Sequence, residues 1–156
     1  KVKKGIFTNY HTRIGYNWRM PEIAALMGIR QLKAIESFIT KRNKIADVYN
    51  SILKDSIEIN IISPPNGSRF NFFKYSLILK NIYREYVHKS MGERGIQLSG
   101  YVYELPLHKQ PVFSNHKNMV LPMTEHVCSK HICLPVFPSL DTEDVKYIAE
   151  TLVKII

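Results

Sequence analysis

The 156 residues include 22 lysines and arginines against 13 aspartates and glutamates, which gives a formal net charge of +9 at pH 7, and 45% of the residues are hydrophobic. This length and this apolar content predict one globular unit with its own core, because single domains commonly run to roughly 100 to 200 residues. They argue against an intrinsically disordered chain. The sequence starts at Lys1 without an initiator methionine, which predicts a truncated chain. No signal segment follows and no apolar run approaches the roughly 20 residues of a membrane helix, so we expect a soluble chain with no membrane partner.

The positive charge favours anionic partners through long-range attraction, so nucleic acid and phosphate-bearing ligands are both candidate partners. Basic residues cluster at 1 to 4, 30 to 44 and 80 to 94, where acids are interleaved with them. A solvated surface is therefore the simpler interpretation of most of these charges. The two cysteines, Cys128 and Cys133, make no disulfide framework, which predicts a reducing, cytoplasmic setting.

Residues 1 to 20 are polar and aromatic with little periodicity, and they are predicted to be a connection. This connection ends in a polar pair, Asn17 and Arg19, directly before Pro21 and Glu22, which suit the first turn of a helix. An amide and a guanidinium at a helix entrance are suited to binding an anion such as phosphate. From the residues alone, an alternative interpretation is that the asparagine belongs to a turn and the arginine has only a structural role.

Apolar residues recur at a spacing of three to four from Pro21 to about Lys54, which predicts one long helix. The stripe consists of Ile23, Leu26, Ile29, Leu32, Ile35, Ile39, Ile45, Tyr49 and Ile52. A glycine inside a helix costs about 1 kcal/mol relative to alanine. At Gly28 we therefore expect either tight packing or the close approach of a functional group, and packing is the favoured interpretation.

Two strands are predicted next. Ile57 to Ile62 is a β-branched run closed by a turn at 64 to 67, and a second run alternates apolar and polar residues. The residues of the second run expected to face the core are Phe73, Tyr75, Leu77 and Leu79. An amphipathic helix is predicted at about 82 to 94, ended by Gly95 as a left-handed cap, and 96 to 120 are predicted to be mostly irregular.

The last third of the chain predicts a short helix at 122 to 131, an apolar strand from His131 to Pro135, and a final helix opened by Asp141. The apolar stripe of the final helix consists of Val145, Ile148, Ala149, Leu152, Val153 and Ile156. Helices packed on a small sheet make an α+β fold.

The sequence favours neither metal binding nor nucleic-acid binding. His126, Cys128, His131 and Cys133 are zinc-ligand types within eight residues, but their spacing departs from the usual zinc patterns, so we predict no metal. The tyrosines and phenylalanines fall mostly on core-facing positions, which does not favour base stacking. No hydrolase or phosphate-cradling motif is present.

Several short motifs follow one another along the chain in an order that is typical of one protein family. They are G-x-N-x-R-M at 15 to 20, Glu22, Ala25, Gly28, Gln31, Leu32, Arg42, Ala46, Tyr49, R-G-I at 94 to 96, Tyr103, P-L-H-K-Q-P at 106 to 111, Leu121, Pro122, Glu125, L-P-V-F-P at 134 to 138 and Leu140. Together they resemble the sugar-nucleotide aminotransferases of the DegT/DnrJ/StrS type, which are pyridoxal-phosphate enzymes. Ala24 and Leu26 depart from the family's usual residues, so packing under the helix is expected to differ.

The resemblance implies the small C-terminal domain of a fold-type I pyridoxal-phosphate-dependent transferase, in which helices pack on a mostly antiparallel sheet. Residues 1–20 would be the connection carrying the Asn-Arg motif, 21–156 the small domain with its long N-terminal helix, and the large cofactor-binding domain would be absent. The implied enzyme is a cytoplasmic homodimer. It would transfer an amino group from an amino acid, with glutamate the expected donor, to a keto sugar nucleotide for deoxyamino-sugar and cell-surface polysaccharide synthesis.

The resemblance also implies roles for four residues. Asn17 would reach the cofactor phosphate of the neighbouring subunit, and Arg19 would contact a substrate phosphate or support the interface. Tyr103 and His108 would lie toward the sugar nucleotide, His108 as a hydrogen-bonding group or a proton shuttle. From the residues alone, His108 is equally well a satisfied polar group.

The lysine that forms a Schiff base with the cofactor follows a Ser-Phe pair in this family. Lys1, Lys3 and Lys4 lack that context. The isolated chain is therefore expected to be inactive as a transaminase. A non-catalytic basic domain that binds a ligand or nucleic acid is the alternative, and a regulatory relative that binds the cofactor without reacting is another.

Overall fold

One helix of 32 residues, α1 at Glu22–Leu53, dominates the first half of the structure. The computed structural model describes residues 11–156, so Lys1, Lys3 and Lys4 lie outside the described residues. The helix begins after Pro21, which lies in the extended region with φ −65° and ψ 150°. Both its length and its bounds confirm the long helix predicted from the apolar spacing.

The two halves of α1 differ in what covers them. Ile45, Ala46, Tyr49 and Leu53 in the carboxyl-terminal half are buried, whereas the predicted stripe of the amino-terminal half is exposed. A Cβ placed on Gly28 would meet no atom within 4 Å. The expected close packing at this glycine is therefore wrong within the described chain, because the half of the helix that contains it has no neighbour there.

Three antiparallel strands form the sheet in the order β1-β2-β3. Their bounds are Ile59–Ile61 for β1, Tyr75–Leu79 for β2 and His131–Leu134 for β3. Leu77 at the centre of β2 lies opposite Ile61 on one side and Ile132 on the other. The α+β class and the antiparallel sheet are confirmed.

The predicted facing of Phe73 is wrong. Phe73 is exposed, and Phe72 is buried in its place, against the rings of Phe70 and Tyr75. Phe72 has a positive φ of 40°, and the Asn71 side chain accepts a hydrogen bond from the Phe73 N–H at 3.0 Å. This local turn ends the extended geometry before Tyr75, so the alternation of the strand does not reach back to Phe73.

Helix α2, at Arg84–Gly92, ends as predicted. Gly95 has a φ of +76°, and the Ile96 N–H donates to the Met91 carbonyl at 3.0 Å, which is the hydrogen bond of a left-handed helix cap. The chain then runs through mostly irregular backbone with two short 3-10 helices, at Leu107–Lys109 and Pro111–His116.

Helix α3, at Pro122–Lys130, leads directly into β3, and helix α4 closes the chain at Thr142–Ile155. The Asp141 side chain accepts from the Glu143 N–H at 2.8 Å, which confirms the predicted helix start. The predicted α4 stripe is buried except at Val153, which is exposed, and Ile156, which is partly so.

The core lies between the sheet and a helical layer made of α2, α4 and the carboxyl-terminal half of α1. Two tyrosines bring their hydroxyls to partners inside it. Tyr49 donates to the Pro135 carbonyl at 2.8 Å, and Tyr75 donates to the Asn50 side chain at 2.7 Å. Among residues 11–156, no helix combines the length and the apolar character needed to cross a bilayer.

Candidate functional site

Residues 11 to 20 form an exposed segment that leads into α1. Asn17 and Arg19 both lie on its surface, directly before the amino end of the helix. Within the described part of the chain, no side chain caps that end, so its first N–H groups remain available. An amide, a guanidinium and free helix N–H groups are the donor set that suits a phosphate group.

The beginning of this segment is joined to the 3-10 helices. The His11 N–H donates to the Gln110 side chain at 3.0 Å, and the Val112 N–H donates to the His11 carbonyl at 3.0 Å. Gln110 is buried and also donates to the Leu105 carbonyl at 3.2 Å. The approach to the Asn-Arg pair is thus attached to the loop that carries His108, although the two are far apart in the sequence.

His108 is 7% exposed, and its Nε2 lies 2.9 Å from Oε1 of Glu125 on α3. The same oxygen accepts the Leu121 N–H at 3.2 Å and lies 3.5 Å from Nζ of Lys109. The hydrogen bond from His108, then that from Leu121 and the nearby Lys109 charge, lower the pKa of Glu125. The carboxylate is therefore ionised at neutral pH and acts as the acceptor.

Tyr103 is exposed, and the backbone just before it is held by His131. Nε2 of His131 accepts the Val102 N–H at 3.0 Å, and Nδ1 donates to the Val127 carbonyl at 2.9 Å. Burial lowers the pKa of His131. A neutral ring is what this arrangement needs, because Nε2 can accept only while it carries no proton.

Arg84 on α2 contacts both α3 and the loop that carries Tyr103. Its guanidinium lies 4.2 Å over the ring of Tyr101, donates to the Cys128 carbonyl at 2.6 Å, and is 3.7 Å from the Glu104 carboxylate. Sequence analysis assigned no role to Arg84 or Glu125. Glu125 appears among the family motifs, but the partners of both residues lie on other elements, so no short-range spacing in the sequence predicts these contacts.

The four zinc-ligand types considered above do not converge. Cys133 lies 3.4 Å from the Ser76 hydroxyl, while His131 is hydrogen bonded to backbone groups on both sides. Both cysteines are free and buried, and burial raises the pKa of each thiol. Across residues 11–156, no three His, Cys, Asp or Glu side chains come together in a way that could hold a metal ion.

The structure therefore places the four predicted site residues in two neighbouring regions. Asn17 and Arg19 are exposed at the entrance to α1, Tyr103 is exposed on the loop, and His108 is buried and paired with a carboxylate. Their contacts with a cofactor or a substrate stay predictions.

Comparison with known proteins gives relatives along almost the whole chain. GDP-perosamine synthase of Escherichia coli O157:H7 is 30% identical over 144 residues, which are 92% of this chain and 38% of that protein. The pleiotropic regulatory protein of Geobacillus stearothermophilus is 29% identical over 147 residues, 92% of this chain and 39% of that protein.

The fold is similar to that of PseC from Helicobacter pylori, an aminotransferase involved in the biosynthesis of pseudoaminic acid. The TM-score is 0.79 at 25% identity, and the match covers 99% of this chain and 42% of that chain. This chain thus spans about two fifths of the length of the proteins it matches. The DegT/DnrJ/EryC1/StrS aminotransferase family model matches residues 2–153. The chain belongs to this family of aminotransferases.

Proposed function

We propose that this chain is the small C-terminal domain of an aminotransferase that transfers an amino group from an amino acid, with glutamate the expected donor, to a keto sugar nucleotide. The observation that carries the proposal is the exposed Asn17 and Arg19 pair at the uncapped amino end of α1, in a chain of an aminotransferase family. Residues 1–20 serve as the connection and 21–156 as the small domain.

Pyridoxal phosphate is the cofactor of this family. When bound, it supplies the electron sink for amino-group transfer. The donor set at the entrance to α1 fits its phosphate: the Asn17 amide donates, the Arg19 guanidinium neutralises charge, and the helix end adds N–H groups. In this proposal Asn17 binds the phosphate in the neighbouring subunit, and Arg19 binds there or at a substrate phosphate.

In this proposal the sugar nucleotide binds at the loop between α2 and α3, which carries Tyr103 and His108. Tyr103 offers an exposed hydroxyl, and His108 offers the ring edge that Glu125 does not occupy. The net charge of +9 attracts the nucleotide diphosphate. In this proposal both residues bind and orient the substrate.

The exposed stripe on the amino-terminal half of α1 supports the proposed large domain and homodimer. Ile23, Leu26, Ile29 and Leu32 present apolar side chains to the surface along the half of α1 that follows Asn17. Contiguous apolar surface of this kind marks interaction sites in proteins. We propose that the large domain and a second subunit cover it. The Schiff-base lysine belongs to that large domain.

The first test is cofactor binding in the full-length protein encoded by the reading frame that contains these residues. Replacing Asn17 by Ala removes a hydrogen bond to a charged group, which contributes roughly 1.5 to 3 kcal/mol. We expect the dissociation constant for pyridoxal phosphate to rise about tenfold or more. Asn118→Ala, at an exposed asparagine elsewhere, is the matched control. Equal affinity in both variants would remove Asn17 from the phosphate site.

A regulatory relative is the second candidate, because one of the matched proteins is a pleiotropic regulatory protein. This candidate keeps the phosphate site and lacks amino transfer. Full-length protein that binds pyridoxal phosphate through Asn17, yet leaves the cofactor unconverted with glutamate and other amino acids, would favour it. Transfer of the amino group to a keto sugar nucleotide would exclude it.

A further inference from the structure

The contact between His108 and Glu125 is more than a surface ion pair. His108 is buried, and it lies on a 3-10 helix between Pro106 and Pro111, which restrict the backbone on both sides. Glu125 reaches it from α3, with 2.9 Å between Nε2 and Oε1. The Leu121 N–H at 3.2 Å keeps the carboxylate turned toward the ring. The backbone around each of the two residues therefore restricts the position of its side chain.

This contact decides which ring nitrogen of His108 carries the hydrogen. An ionised carboxylate has acceptors only, so Nε2 must be the donor. In the neutral ring, Nδ1 then has a free lone pair. Within residues 11–156, no backbone or side-chain group hydrogen-bonds to Nδ1 of His108. The ring consequently presents an unused acceptor on its other side.

His131 provides an internal comparison. Its Nδ1 donates to the Val127 carbonyl at 2.9 Å, and its Nε2 accepts the Val102 N–H at 3.0 Å. Both of its nitrogens are therefore occupied, and its tautomer is the opposite of the one that Glu125 sets in His108. Both ring nitrogens of His131 form hydrogen bonds to the backbone, whereas Nδ1 of His108 remains available as an acceptor.

We propose that Glu125 is a positioning residue that holds His108 as the Nε2–H tautomer, so that Nδ1 accepts a hydrogen bond from a substrate hydroxyl or amino group. The identity of that substrate as a sugar nucleotide rests on the proposed function. The assignment of Glu125 does not, because the tautomer is a property of the two side chains. A carboxylate that orients a histidine in this way acts through the ring and does not itself touch the substrate.

The test is nitrogen-15 NMR of histidine-labelled full-length protein at pH 8, where long-range proton-nitrogen couplings distinguish the tautomers. We expect the Nε2–H pattern for His108 and the Nδ1–H pattern for His131. In Glu125→Leu no acceptor faces Nε2, so the His108 pattern should become a mixture of the two tautomers, whereas Glu125→Gln keeps an oxygen that accepts from the Leu121 N–H and should retain the Nε2–H pattern. The His131 pattern should stay unchanged, which shows that the variant is folded. An unchanged Nε2–H pattern in Glu125→Leu would overturn the assignment.

The kinetic part uses the same protein. Loss of one oriented hydrogen bond predicts a fall in kcat/KM of about tenfold for Glu125→Leu, with partial recovery in Glu125→Asp. Glu143→Leu, which changes an exposed carboxylate on α4, is the matched control and should leave the rate unchanged. Altered tautomers with an unaltered rate would overturn the positioning role. Absence of transfer in the wild type would instead overturn the proposed function, while the tautomer result would still decide the role of Glu125.

Discussion

The two halves of α1 have the same apolar spacing and opposite surroundings. In the amino-terminal half, Leu26 and Leu32 are 65% and 68% exposed. In the carboxyl-terminal half, Tyr49 and Leu53 are 0% and 1% exposed. The spacing specifies which face of the helix is apolar, but it does not specify what covers that face. The carboxyl-terminal half packs in the chain's own core, and the amino-terminal half extends beyond it.

Because of this difference, we expect the covered half of α1 to affect the stability of the fold and the exposed half to affect assembly. The covered half joins the core shared by α4 and the sheet, and it therefore contributes to the stability of the fold. The exposed half follows directly on Asn17 and Arg19, so an element that covers its first turns also lies close to the proposed phosphate site. Folding and assembly can thus be separated by substitutions along a single helix.

The largest difference is expected when one large side chain is removed from each half. Tyr49→Ala removes a ring in contact with Tyr75 and a hydrogen bond to Pro135, and it should lower the free energy of unfolding by about 3 to 5 kcal/mol. Leu26→Ala should change it by less than about 0.5 kcal/mol. Urea unfolding of the 156-residue chain, followed by circular dichroism, measures both values. Equal losses would mean that Leu26 is covered within this chain.

Assembly should respond in the opposite way. The double substitution Leu26→Ser and Leu32→Ser removes apolar surface from the proposed interface. We expect the dissociation constant of the full-length dimer to rise tenfold or more, since a buried interface anchor contributes roughly 1 to 2 kcal/mol or more. Sedimentation equilibrium measures it. Val120→Ser, at an exposed apolar residue outside α1, is the control. A dimer unaffected by the double substitution would place the interface elsewhere.

Local patterns in the sequence predicted most of the elements. The long helix, the left-handed cap at Gly95 and the Asp141 helix start all depend on residues within a few positions of one another, and all three are confirmed. The facing of Phe73 was wrong because a positive φ at Phe72 interrupts the extended chain. Alternation cannot reveal a single residue in an unusual backbone conformation.

The candidate site was only partly predictable, because its partners meet through the fold. Glu125 reaches His108, and Arg84 reaches Glu104 and Cys128, from separate elements. The same fold gives His131 a structural role beside Val102, although in the sequence it belonged to a possible zinc cluster. Resemblance to a family marked both His108 and Glu125, whereas the contact between them required the structure.

Acid should destabilise the covered side of the molecule and spare the exposed half of α1. Burial lowers the folded-state pKa of His131 below the ordinary value of 6.5, so the folded protein binds fewer protons than the unfolded chain as the pH falls. This contribution to stability is complete above pH 6.5 and is lost as the pH falls through 6.5 toward the lowered value. Protonation also removes the acceptor of the Val102 N–H. Hydrogen exchange should show Val102 losing protection while amides near Leu26 do not change, and His131→Asn should flatten the dependence.

The smallest effects are expected from two glycines, one in the exposed half of α1 and one at the end of α2. Gly28 lies in the exposed half of α1 with no atom near a Cβ, so Gly28→Ala should stabilise the isolated chain by roughly 0.5 to 1 kcal/mol. Gly95 has a φ of +76° at the end of α2, so Gly95→Ala should destabilise it by about 1 kcal/mol, although a Cβ there also meets no atom. Thermal unfolding measures both. In the full-length protein the benefit of Gly28→Ala should shrink or reverse if the proposed partner packs against this glycine, because a methyl group would then meet that surface. An undiminished gain would show that the interface leaves Gly28 uncovered.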